Sequence, residues 1–138
     1  MDLEQALYSA LTTPGTDLHD QIKSRLYPDS LPQSVTLPAV VYQRISTTFY
    51  HAFGHQPAAQ RPRIQFDVYS TSKATVMAAA WALQARLRGL SGEIGPEGDQ
   101  IEIATPLEQD MQTHYEQDTG YYRGRLDAMI FNVPGGGD

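Results

Sequence analysis

Apolar positions recur along this chain with two different periods, and the switches between them mark out its elements. From Asp2 to Thr12 the residues Leu3, Ala6, Leu7, Ala10 and Leu11 recur at helical spacing, with Asp2 placed to cap the start and Pro14-Gly15 to stop the run. A second short periodic stretch carries Leu18, Ile22 and Leu26 on one face behind Asp17 as cap, and ends before Tyr27-Pro28 because a residue preceding proline avoids helical angles. Leu31 to Leu37 reads as a proline-bounded connection. Ala39-Val40-Val41-Tyr42-Gln43-Arg44-Ile45 is rich in β-branched and aromatic residues, which predicts a strand beginning at Pro38.

Phe49 to Pro62 mixes aromatics, two histidines, Gly54 and Pro57 without a period, the pattern of a long mobile loop. Arg63 to Tyr69 then alternates cleanly, which puts Ile64, Phe66 and Val68 on a buried face and Arg63, Gln65, Asp67 and Tyr69 on the other. Ser70 or Ser72 is placed to cap a helix striped by Val76, Ala80, Leu83 and Leu87 and ended by Gly89. Ser91 to Asp99 reads as a glycine-rich turn region. Beyond it two long antiparallel strands reverse at Gln117-Asp118-Thr119-Gly120, the second with Leu126, Ala128 and Ile130 on one face and Arg123, Arg125, Asp127, Met129 and Phe131 on the other. The pattern as a whole predicts an α+β fold. Its antiparallel or mixed sheet has about four strands, with an N-terminal helix and a longer central helix packed on one face. Residues 1–133 are expected to form a single domain and 134–138 a flexible tail.

Composition adds exclusions. With 138 residues, 41% hydrophobic and 19% charged, the chain has enough apolar material for one core and too much for a disordered segment. Ten basic residues against sixteen acidic ones give a net charge of -6, which argues against phosphate-driven binding of nucleic acid. The absence of cysteine removes disulfides, thiolate metal sites and cysteine nucleophiles. The N-terminus is acidic where a secretory signal is basic, and no apolar run approaches the roughly 18 to 20 residues of a membrane span, so no membrane partner is expected.

Candidate chemistry is sparse. His51 and His55 are four apart, as on one face of a zinc-binding helix, but Ala52-Phe53-Gly54 and Pro57 oppose a helix there, and incidental histidines in a solvated loop are the reading adopted. No serine sits in a Gly-x-Ser-x-Gly turn, and Gly92-x-x-Gly95-x-x-Gly98 lacks the lysine and the strand-to-helix setting of a phosphate cradle. Asp110, Glu116 and Asp118 near the hairpin tip read as solvated carboxylates. No catalytic residue, metal or cofactor is expected. What remains is a set of candidate interface residues. Arg63, Arg123 and Arg125, with Arg61, lie on the polar sides of two predicted strands, where they serve either inter-subunit ion pairs or a solvated face. Phe49, Tyr50 and Phe53 lie in the predicted loop, where exposed aromatics serve docking or fold back over the sheet edge.

The order of elements resembles a known family. An N-terminal helix is followed by Leu26-Tyr27-Pro28, then Leu37-Pro38-Ala39-Val40-Val41-Tyr42, then Arg63-Ile64-Gln65-Phe66-Asp67-Val68-Tyr69-Ser70, then an alanine-rich helix ending in Leu83-x-x-x-Leu87. Nearly the whole chain resembles the tail completion, or tail terminator, proteins of long-tailed bacteriophages and related gene transfer particles. The resemblance implies a non-enzymatic virion protein, assembled in the host cytoplasm and located at the head-tail junction. There it forms a homohexameric ring that caps the tail tube protein and meets the head connector or stopper protein, while DNA passes through without specific binding. The loop from Phe49 to Pro62 matches no signature of that family. A head-to-tail adaptor or stopper is the nearest alternative, and a small ferredoxin-like binding module comes from a different class.

Overall fold

The computed structural model describes residues 2–51 and 57–132, with the side chains of residues 51, 57, 58 and 109 left aside. Helix α1, Leu3–Leu11, starts at Asp2, whose carboxylate accepts from the Gln5 N–H at 2.8 Å while the Gln5 side chain reaches back to the Asp2 N–H, a reciprocal capping box. Helix α2, Asp17–Ile22, is capped by Thr16 rather than by Asp17. It ends sooner than the apolar spacing suggested, because Leu26–Pro28 leaves the helix to form a strand, β1.

Strands β2 (Ala39–His51) and β3 (Pro57–Ser70) follow, then helix α3 (Lys73–Arg88) with Ser72 as N-cap and Gly89 as C-cap. The small strands β4 (Gly92–Ile94) and β5 (Ile101–Ile103) lead to the hairpin of β6 (Leu107–Glu116) and β7 (Tyr121–Met129). The described residues thus build an α+β fold with three helices, a five-stranded sheet in the order β1-β2-β3-β7-β6 and a two-stranded sheet β4-β5. The main sheet is mixed, since β1 lies parallel to β2 while all its other neighbours are antiparallel. Two expectations are corrected here. The sheet has five strands, not about four, and Gly92–Ile94 of the glycine-rich region is a strand, since Ile94 is buried opposite Ile101.

The larger correction concerns residues 49 to 62. Phe49–His51 and Pro57–Pro62 are strand, not loop: β2 and β3 pair out to His51 and Pro57 and form a long arm. Pro62 is tolerated because its neighbours compensate. Its carbonyl accepts from the Ile130 N–H at 3.0 Å, but it has no N–H to give back. The Ile130 carbonyl takes its hydrogen bond instead from the side-chain amide of buried Asn132 at 3.2 Å.

One face of the main sheet carries Val40, Tyr42, Ile64, Phe66, Val68, Leu126, Ala128 and Ile130, all buried beneath the helices. Helix α3 lies so close to β7 that a Cβ on Gly124 would stand 2.9 Å from Cγ1 of Val76. Helix α1 is tied to the same face by a two-pronged pair, Glu4 accepting from Arg44 Nε at 2.9 Å and Nη2 at 2.6 Å. Burial, then the nearby Glu4 carboxylate, push the Tyr42 hydroxyl above its ordinary range. Among the described residues no helix is long and apolar enough to cross a membrane.

Candidate functional site

Among the described residues no helix lies over the opposite face of the sheet, and its side chains are ordered in rows by the strand register. Tyr69, Arg123 and His114 face one another across β3, β7 and β6. The next row is Val41, Asp67, Arg125 and Gln112; the next is Gln43, Gln65, Asp127 and Asp110; then come Ser46, Arg63 and Met129. Arg44 continues the helix-facing alternation of Val40 and Tyr42, and a bulge at Ile45 then shifts the parity of β2 and returns Ser46, Thr48 and Tyr50 to the helix-free face.

Two aspartates hold this face together. Asp67 is buried and accepts from Arg125 Nε at 3.3 Å and Gln65 Nε2 at 2.9 Å, with Arg123 Nε at 3.9 Å. Asp127 is only 7% exposed and pairs with Arg63 Nη2 at 2.6 Å. Arg123 also reaches Glu116 at 3.5 Å. Burial works to lower the Arg123 pKa, but the Tyr69 hydroxyl, Asp67 and Glu116 hold it above the ordinary value. Tyr69 is itself pushed up, by burial first, with the Arg123 hydrogen bond working against that. The network is incomplete. Nε of Arg61, Arg63 and Arg123 and Oδ1 of Asp127 are buried without a hydrogen-bond partner, and Arg61 makes no ion pair with any described residue.

The candidate interface residues fall in two places. Arg63, Arg123 and Arg125 share the helix-free face, but as members of intrachain pairs rather than as a bare positive patch. Sequence alternation put these arginines, and Asp67 and Asp127 with them, on the polar sides of their strands; it gave no signal of which carboxylate meets which arginine, because that depends on the register of two strands far apart in the chain. Phe49 and Tyr50 lie far out on the arm, 53% and 39% exposed, and adjacent strand positions turn them to opposite faces. Tyr50 stacks on Phe131 with ring centroids 5.7 Å apart. Phe53 and His55 lie outside the described residues, as do the side chain of His51 and the tail from 134 to 138. Asp110, Glu116 and Asp118 do not gather: Asp110 sits across from Asp127, Glu116 is paired with Arg123, and Asp118 is exposed in the turn. A groove of about 460 Å³ opens on this face between the chain at Asp29–Leu31 and the Asp67–Arg125 row.

No curated protein matches the chain. Among solved structures, a chain of the virion of a native gene transfer agent particle superposes with a TM-score of 0.65 at 16% identity, over 95% of this chain and 93% of that one, a likeness of fold. A family model, that of the tail completion protein gp17, matches residues 5–131, and this chain belongs to that family, a viral structural tail protein rather than a class of enzyme.

Proposed function

We propose that this protein forms a hexameric ring that caps the end of the tail tube, meets the head connector or stopper on its other side, and lets DNA pass without specific binding. The observation that carries the reading is family membership over nearly the whole chain. The fold is consistent with it: a heterologous contact that closes into a ring needs two different complementary surfaces on each copy, and the helix-free face and the aromatic arm differ in chemistry. The arm serves docking in this reading. Replacing Phe49 and Tyr50 by serine should leave the monomer folded and stop head-tail joining; joined particles at the normal yield would remove the arm from the account.

The direct test is to withdraw the chain from cells that make the particle. Separate heads and unjoined tails are expected, restored by supplying the chain in trans, whereas joined particles without it would overturn the proposal. The groove beside Asp67 favours a second reading, a small binding module. That reading predicts a monomer or dimer copurifying with a small ligand, and loss of that ligand on Tyr69→Ala.

A further inference from the structure

The main sheet ends in two long unpaired edges. On one side β6 has no neighbour beyond it among the described residues. On the other, β1 covers only Val40–Tyr42 of β2, so no described strand pairs with the outer side of Gln43 to His51. Gln60 uses both its N–H and its C=O on Asn132, at 2.7 and 2.8 Å. Its partner Phe49, and by alternation Thr47, therefore turn their own N–H and C=O away from β3. The same alternation, fixed by the Ile130 N–H bonding to Pro62, points those of Met111, Thr113 and Tyr115 off the β6 edge. Long edges of this kind are normally blunted by lysine, proline or very short strands. The β6 edge has no lysine or proline; a bulge between Glu108 and Asp110 interrupts its first residues, but from Asp110 to Glu116 it runs in regular register, and it exposes Leu107 at 63% and Tyr115 at 48%.

We infer that the β6 edge of one copy pairs with the open β2 edge of the next, so that the ring closes through a continuous sheet. Three observations select a second copy as the occupant. Strands β2, β3, β7 and β6 alternate in direction. A copy rotated about an axis lying roughly along the strands therefore presents its β2 antiparallel to the first copy's β6, and the alternation continues unbroken. Charge is also segregated. Eight of the sixteen acidic residues lie between Gly89 and Tyr122, a stretch with no lysine or arginine, so the rest of the chain holds ten basic residues against eight acidic. Finally, the exposed carboxylate of Asp110 on β6, which accepts from the Gln112 amide at 2.7 Å, would arrive beside the β2 edge, one strand from Arg61, which makes no ion pair with any described residue. Two strand spacings are about 10 Å, a gap that an arginine and an aspartate reaching toward each other span. With helices on one face only, such a ring curves with its helices outside.

This inference rests on the ring reading, and proline variants separate the two. Thr113→Pro and Thr47→Pro each remove one outward N–H and no intrachain backbone bond, a change an edge strand accommodates; Thr113→Val and Thr47→Val keep the N–H, and Thr47→Val shares with Thr47→Pro the loss of the hydroxyl that accepts from Arg44 Nη1 at 3.1 Å. Circular dichroism confirms the fold, and native mass spectrometry is run from micromolar to millimolar chain. Rings are expected from the wild type and the valine variants, and monomers from each proline variant. An equimolar mixture of the two proline variants should give a one-to-one dimer that grows no further, since only one good edge of each remains. Rings from both proline variants would overturn edge pairing and leave the ring reading standing. A wild type that stays monomeric at every concentration would overturn both.

Discussion

Gly124 is the point where the central helix rests on the sheet, and replacing it by alanine tests whether that approach is as close as the structure has it. The added Cβ would stand 2.9 Å from Val76 Cγ1, 3.6 Å from Ala80 Cβ and 4.0 Å from Val68 Cβ. The last two are ordinary contacts; the first is several tenths of an ångström too short. Val76 is fully buried and β-branched, with one strongly preferred rotamer in a helix, so it cannot swing aside. Overpacking of this size costs about 1 to 3 kcal/mol. Loss of glycine freedom in the unfolded chain offsets roughly 0.4 to 1 of that, which at the middle of both ranges leaves a net loss of about 1.3 kcal/mol. For a chain of this length that corresponds to a fall in Tm of roughly 3 to 10 °C. Val76→Ala alone should cost about 2 kcal/mol through its cavity, but the double variant should be more stable than the sum of the singles by about 1 kcal/mol or more. Thermal and urea unfolding of the four proteins read these differences. An alanine variant as stable as the wild type, or singles that simply add, would refute the close approach of α3 to β7.

Other perturbations probe the helix-free face and the arm. Asp67→Asn leaves Arg123 and Arg125 without their shared buried carboxylate, and because both guanidiniums are partly exposed the expected loss is about 2 kcal/mol, measured by urea unfolding. Asn132→Ala should cost about 1 to 3 kcal/mol by leaving the buried Ile130 carbonyl unpaired. Pro62→Ala should recover much of that in the Asn132→Ala background, since it restores an N–H facing Ile130, and an absence of coupling between the two would refute the compensation. Tyr42 and Tyr69 both have folded pKa values raised above 10.0. In the window above that value the unfolded chain has lost protons that the native one keeps, so their contribution is full below pH 10 and falls as pH rises toward the folded values. Tyr42→Phe should make the alkaline loss of stability shallower, and an unchanged slope would contradict the assignment.

Strict alternation in Ile64, Phe66 and Val68, and the stripe from Val76 to Leu87, made β3 and α3 legible, and both faces of β7 fell where alternation put them. The arm was not legible, because Pro57 and Pro62 read as breakers. The amide that makes Pro62 harmless belongs to Asn132, seventy residues further on. Strand β1 was hidden because Leu26 continues the helical spacing of Leu18 and Ile22, and only its parallel partner in β2 makes it a strand. At the candidate site, which side Arg63, Arg123 and Arg125 occupy followed from local pattern. That Asp67 and Asp127 neutralise much of their charge followed from register, which is set by tertiary pairing.

Imaging of the assembled particle at its head-tail junction, with the chain carrying a small tag, decides whether this protein is the ring that ends the tail. Six tagged copies are expected in one closed ring on the last layer of the tail tube, helices outward, with β6 of each copy beside β2 of the next. Tagged density on the head side of that position would make the chain an adaptor or stopper instead, and no tag at the junction would overturn the terminating role.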